Sequence, residues 1–130
     1  MKTITLLSIL AQSTTSRQQS CEVLFFVAFT LIGLLFIAIS IPLLLGRVSP
    51  NIWYGFRTKK TISDSSIWYK ANKYMAKGFL ILGMVQILYN VWLIAFRPAI
   101  AAFEPAGNLI ILVAGTAIVI TASLLYLRKL

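Results

Sequence analysis

Three long stretches without a single charged residue decide most of what this chain can fold into. They run from Val23 to Leu45, from Gly78 to Phe96 and from Asn108 to Leu127. Lengths of 19–23 residues make helices of about 28–35 Å, close to the hydrocarbon thickness of a bilayer. In lipid every backbone N–H and C=O must find a partner within the segment, and none of the stretches shows the short alternation of barrel strands. Each is expected to be a transmembrane helix, with Pro42 near the end of the first, where a kink costs little. Composition agrees: 59% of the 130 residues are hydrophobic and only 12% are charged. That excludes a water-soluble globule and a disordered chain. The expected fold class is an all-α integral membrane protein: one membrane domain over residues 23–130, preceded by a polar extension over residues 1–22.

Charge supplies the topology. Lys and Arg number 12 against three acids, a net charge of +9. Basic residues set between apolar runs read as a topology signal rather than a nucleic-acid surface, so no direct nucleic-acid partner is expected. The loop of residues 46–77 holds seven of them (Arg47, Arg57, Lys59, Lys60, Lys70, Lys73 and Lys77) against the single acid Asp64. With three spans the C-terminal Arg128 and Lys129 fall on the same side. The positive-inside rule makes that side cytoplasmic, in the cell inner membrane or an internal one. The N-terminus and the turn from Arg97 to Gly107 are then outside.

The first 22 residues are less patterned. Ile4 to Ala11 is too short to span, and Ala11-Gln12-Ser13 is a poor cleavage site, so an interfacial or disordered extension is expected over a signal peptide. The single Cys21 excludes an internal disulfide, and Gln18-Gln19-Ser20 before it lacks the apolar residue of a lipoprotein signal; it reads as a juxtamembrane thiol.

Chemistry is scarce. Histidine is absent, the acids number three, and no Asp, Glu, Lys or Arg lies within the spans. No metal site, cofactor or enzymatic activity is expected, and neither is a proton relay or a voltage sensor. Gln86 and Asn90 share a face of the second span and read as interhelical hydrogen-bonding groups. Ala114, Ala117 and Thr121 make a small-residue stripe on the third, suited to close packing within the bundle or against a partner.

The basic loop carries the pattern. Its first part, Ser49-Pro50-Asn51-Ile52-Trp53-Tyr54-Gly55-Phe56-Arg57-Thr58, opens on a turn signal and offers a positive φ at Gly55. Trp53, Tyr54 and Phe56 suit headgroup depth, and Arg57 suits either a snorkelling role or a clamp on phosphate or carboxylate. The second part predicts a helix capped at Ser63, with Asp64 in its first turn, continuing through Lys77 into the second span. Trp68, Asn72, Met75 and Phe79 share its inward face. Lys70, Lys73 and Lys77 share the opposite face, toward water or anionic lipid. Asn72 is the polar exception inside, so it should find a partner in Arg57, Asn51 or the loop backbone. The segment Asn51 to Thr58 is expected to fold back over this helix.

The block Pro50-Asn51-x-x-Tyr54-Gly55-Phe56-Arg57-Thr58, followed by Trp68-Tyr69 and Ala71-Asn72, closely resembles the SdpI family of bacterial membrane proteins, named for immunity to a sporulation-delaying toxin. The similarity runs from about Ile41 to Leu88, and its motif positions are Asn51, Gly55, Arg57, Thr58, Trp68 and Asn72. The resemblance implies toxin resistance, or membrane signalling by capture of a cytoplasmic protein. The expected partners are the lipid bilayer and one protein: a cytoplasmic protein, a peptide toxin or a larger membrane complex. The other reading is a small accessory subunit of such a complex, since a short helical bundle without cofactor ligands suits lateral packing.

Overall fold

No glycine or proline interrupts residues 2–32, and the backbone takes that licence. In the computed structural model, which describes residues 2–100 and 104–130 and the side chains of residues 11–17, 20–96 and 106–130, helix α1 runs unbroken over Lys2–Leu44. The polar extension is therefore helical and continuous with the first span rather than disordered. Its hydroxyls do not compete for the backbone but join it. Thr14 and Thr15 donate back to the Ala11 carbonyl, and Ser20 to that of Ser16.

α1 ends in a Schellman turn. Gly46 takes φ +66, its N–H donates to Leu43 O at 3.2 Å, and Arg47 N–H reaches Pro42 O at 3.0 Å. A short helix, α2, covers Lys59–Ser63. The long helix α3 covers Ser65–Ile100, so the amphipathic segment and the second span are one rod, as the pattern predicts. The cap differs by one residue. Ser63 closes α2, and Asp64 caps α3, its Oδ1 accepting from Ser66 N–H at 2.8 Å and Ile67 N–H at 3.3 Å. α4 covers Glu104–Lys129, with Pro105 in its first turn, where a missing N–H costs nothing. The turn expected from Arg97 to Gly107 is thus helical at both ends, and its centre, residues 101–103, lies outside the described residues.

α3 is the middle of the bundle. It packs along α1 on one side and α4 on the other, while α1 and α4 scarcely meet. Gly33 and Gly83 let α1 and α3 cross closely. A Cβ on Gly83 would stand 2.6 Å from Gly33 O, and one on Gly33 would stand 3.1 Å from Gly83 O. Against α4, Gly78 makes room for Val119 and Gly115 for Leu82.

What is buried and what is exposed are inverted relative to a soluble protein. Ser40, Asn72, Gln86, Asn90, Asn108 and Ser123 are buried, whereas Leu24, Leu31, Leu88, Ile110, Val113 and Ile118 are exposed. Water would penalise that surface; a bilayer solvates it, and small and polar side chains then hold the helices together. Each of α1, α3 and α4 is long and apolar enough to cross a membrane.

Candidate functional site

Residues 45–58 leave α1, turn, and lie across the first turns of α3. Asn51 makes the turn: its Oδ1 accepts from Trp53 N–H at 2.9 Å and Tyr54 N–H at 2.7 Å, and its Nδ2 donates to Ser49 O at 2.8 Å. Tyr54 then points inward and its hydroxyl donates to Ile39 O on α1. Pro42 leaves the Ala38 carbonyl without its ladder donor, and the phenol bonds the carbonyl one residue on. Burial pushes the Tyr54 phenol up.

Asn72 is the peg on which the loop hangs. Its Oδ1 accepts from Phe56 N–H at 2.5 Å, while its Nδ2 donates to Trp68 O at 3.0 Å and Phe56 O at 3.5 Å. Of the three partners open to it in sequence, it takes the loop backbone; Arg57 and Asn51 bond elsewhere. Gly55 is required beside it. The backbone there has φ +104, and a Cβ would run into Asn72 Oδ1 and approach Trp68 Cζ2 to 3.3 Å. Trp68 is wholly buried, and its indole N–H donates to Val48 O at 2.9 Å, pinning the start of the loop. Met75 and Ala76 complete the floor with Leu43 from α1, and Tyr54, Phe56 and Phe79 pack on them.

Thr58 closes the loop by capping α2. Thr58 Oγ1 accepts from Thr61 N–H at 3.2 Å, and Thr61 Oγ1 accepts from Thr58 N–H at 2.8 Å while donating within reach of Phe56 O at 3.0 Å. Thr61 is buried and absent from the candidate residues read from sequence. Its signal is the Thr-x-x-Thr spacing, a capping box with a hydroxyl in place of the usual Glu or Gln. Lys60 on α2 donates to Leu127 O at 3.3 Å, which ties the loop to the end of α4. Tyr74 and Tyr126 stack nearby with centroids 4.3 Å apart. The basic loop and the C-terminal end of α4 therefore share one end of the bundle.

The motif thus divides in two. Asn51, Gly55, Thr58, Trp68 and Asn72 shape the loop. Arg57 acts from the outside: it is exposed, and its guanidinium donates to Ile52 O along the loop's outer edge. Ile52 and Trp53 on that edge are 62% and 86% exposed. Lys70, Lys73 and Lys77 are also exposed, on the outer side of α3.

A second polar cluster lies inside the bundle. Gln86 Nε2 donates to Asn108 Oδ1, and Asn90 Nδ2 donates to Thr30 Oγ1 at 3.0 Å, so α1, α3 and α4 are joined by side-chain amides and a hydroxyl. Gln86 Oε1 and Asn90 Oδ1 accept no bond among the described residues. Ala114, Ala117 and Thr121 face out of the bundle; the α3–α4 seam instead uses Gly115, Val119 and Ser123, one turn-edge over. Of the two uses open to that stripe, packing within the bundle is not the one taken, and packing against a partner remains. Small residues mark several faces of α4, and the seam goes to the one that Leu82 and Gly78 can fill.

These features define a class: a multi-span helical membrane protein whose first interhelical loop is clamped onto its central helix. The profile of the SdpI/YfhL protein family matches residues 47–127, from the loop to the end of α4, and the chain belongs to that family. An uncharacterised protein, YfhL, of Bacillus subtilis strain 168 is 38% identical over 53 residues, which is 41% of this chain and 48% of the relative. The match therefore spans about half the length of that curated relative. No solved structure matches the chain.

Proposed function

We propose that this protein binds a protein partner through the outer edge of its clamped loop, in toxin resistance or membrane signalling, and that it is not an enzyme. One observation carries the reading. The residues that shape the loop are turned inward and satisfied, whereas Ile52, Trp53 and Arg57 are turned outward on a fixed edge. An apolar residue, an indole and a guanidinium held in one rigid arrangement have the composition of a binding hot spot. The basic end that bears them is assigned to the cytoplasmic side by the positive-inside rule. The partner is then a cytoplasmic protein or the inner portion of a membrane-active peptide.

The accessory-subunit reading has its own support in the outward stripe of Ala114, Ala117 and Thr121, which lets another helix approach. Purification of the tagged full chain in mild detergent separates the two, with the eluate identified by mass spectrometry. A partner lost on Trp53→Ala or Arg57→Ala, with the protein still folded and at normal abundance, supports loop binding. A large stoichiometric complex that survives both substitutions and is lost on Ala117→Leu sinks it in favour of the accessory subunit.

A further inference from the structure

Two cavities open between α3 and α4 on the membrane-facing side, of about 260 and 380 Å³. They share Gly78, Ile81, Ile118 and Val119, so they form one continuous groove. Its upper end is framed by Tyr74 and Lys77, at the level where Tyr74 stacks on Tyr126; its lower end reaches Val85 and Ile110. Below Lys77 the walls are aliphatic.

We infer that this groove holds one anionic phospholipid, its phosphate on the Lys77 ammonium and one acyl chain lying between α3 and α4. The inference rests on the membrane reading of the bundle and not on the proposed partner. Length fits: from Lys77 to Val85 and from Ser123 to Ile110 the lining descends about 12 and 20 Å, against about 15 Å for one leaflet of the hydrocarbon core. Charge fits as well. Lys77 makes no hydrogen bond or ion pair among the described residues, and Asp64, the acid nearest to it in sequence, lies 13 residues earlier at the cap of α3. An ammonium at headgroup depth above an aliphatic slot calls for an anion covalently joined to a chain. A partner helix in the same place would have to bring its own acid to that depth.

The groove also explains why its walls are shaped as they are. Gly78 and Gly115 draw α3 and α4 together by admitting Val119 and Leu82, while Ala114 and Ala122 leave the outer lip low. The result is a shallow aliphatic slot on the outer side of the α3–α4 seam.

The test uses the full chain reconstituted in bilayer discs of phosphatidylglycerol and phosphatidylcholine at one to four, then extracted in mild detergent. Lipid retained per protein is counted by native mass spectrometry. The expected result is one retained phosphatidylglycerol per chain. Lys77→Gln should cut that retention about fivefold, as for removal of one cation at a membrane surface. Ala114→Trp, which fills the slot and leaves the charge, should cut it at least as much. Lys70→Gln, on the same basic face but outside the groove, should leave it unchanged. Equal retention of the two lipids overturns the inference, as does retention insensitive to Ala114→Trp. Displacement of the lipid by soluble glycerol phosphate would reduce the site to a headgroup contact and also overturn it. So would a lipid-free dimer.

Discussion

Replacing Asn72 by alanine should release the loop and leave the helices standing. The side chain is 1% exposed and serves the loop twice, accepting from Phe56 N–H and donating toward Phe56 O, with a third bond to Trp68 O. Truncation removes these bonds and strands the Phe56 N–H beneath the fold. A lost bond plus a stranded donor costs about 2 kcal/mol, or about thirtyfold in the population of the open loop. Hydrogen exchange on the protein in bilayer discs reads this directly. Protection at residues 54–58 should fall about thirtyfold, while the amides of α1 and of α3 below Met75 keep theirs. Lys73→Ala, an exposed neighbour one residue on, should change neither. If Asn72→Ala leaves the protection at Phe56 intact, the amide is not the peg. If it unprotects loop and helices together, the loop is no separate unit and the clamp as described is wrong.

Gly55→Ala should open the same loop by another route, since the residue sits at φ +104 and the new Cβ meets Asn72 Oδ1; a cost of about 1–3 kcal/mol is expected, read by the same exchange. Gly46→Ala should cost less, about 1 kcal/mol, because its Cβ would meet nothing nearer than Tyr69 Cδ1 at 3.9 Å and only φ +66 is unfavourable. Gly83→Val should force α1 away from α3, because the Gly33 carbonyl stands 2.6 Å from the Cβ position; a fall in resistance to unfolding by SDS checks it, and wild-type resistance would refute the close crossing. The loop should also loosen in alkali. Burial raises the Tyr54 phenol above its unfolded value, so its contribution is complete below about pH 10 and is lost as pH rises through the folded value. Loop protection relative to base-catalysed intrinsic exchange, followed from pH 8 to 11, should show that loss, and Tyr54→Phe should remove it.

Much of this is legible in the sequence. Uncharged runs of bilayer length dictate three helices, and an amide at Asn72 on an otherwise apolar face dictates a partner. Gly55 announces its positive φ through the absence of a side chain. Where sequence reading slips, it does so by local competition. Ser63 and Asp64 both suit a helix N-terminus, and α2 takes the serine because Thr58 and Thr61 had already capped a short helix before it. The N-terminal segment is polar enough to suggest an unstructured extension, yet its hydroxyls satisfy themselves on their own helix and nothing breaks it. The inner edge of α4 was the hardest to place. Its alanines, glycine and threonine permit close packing on several faces, and only the glycine at 78 and the leucine at 82 across the seam select one of them.

The separation of charge from the spans bears on what this protein can sense. Every Lys, Arg, Asp and Glu lies outside residues 23–45, 78–96 and 108–127. An elementary charge carried across a membrane potential gains about 2.3 kcal/mol per 100 mV; a bundle that rotates or tilts its uncharged interior gains nothing. The side chains within those stretches therefore add no gating charge to rearrangements among α1, α3 and α4. Any coupling to the membrane potential must then run through the ionised groups that flank the spans, Glu22, Lys77, Arg97 and Arg128.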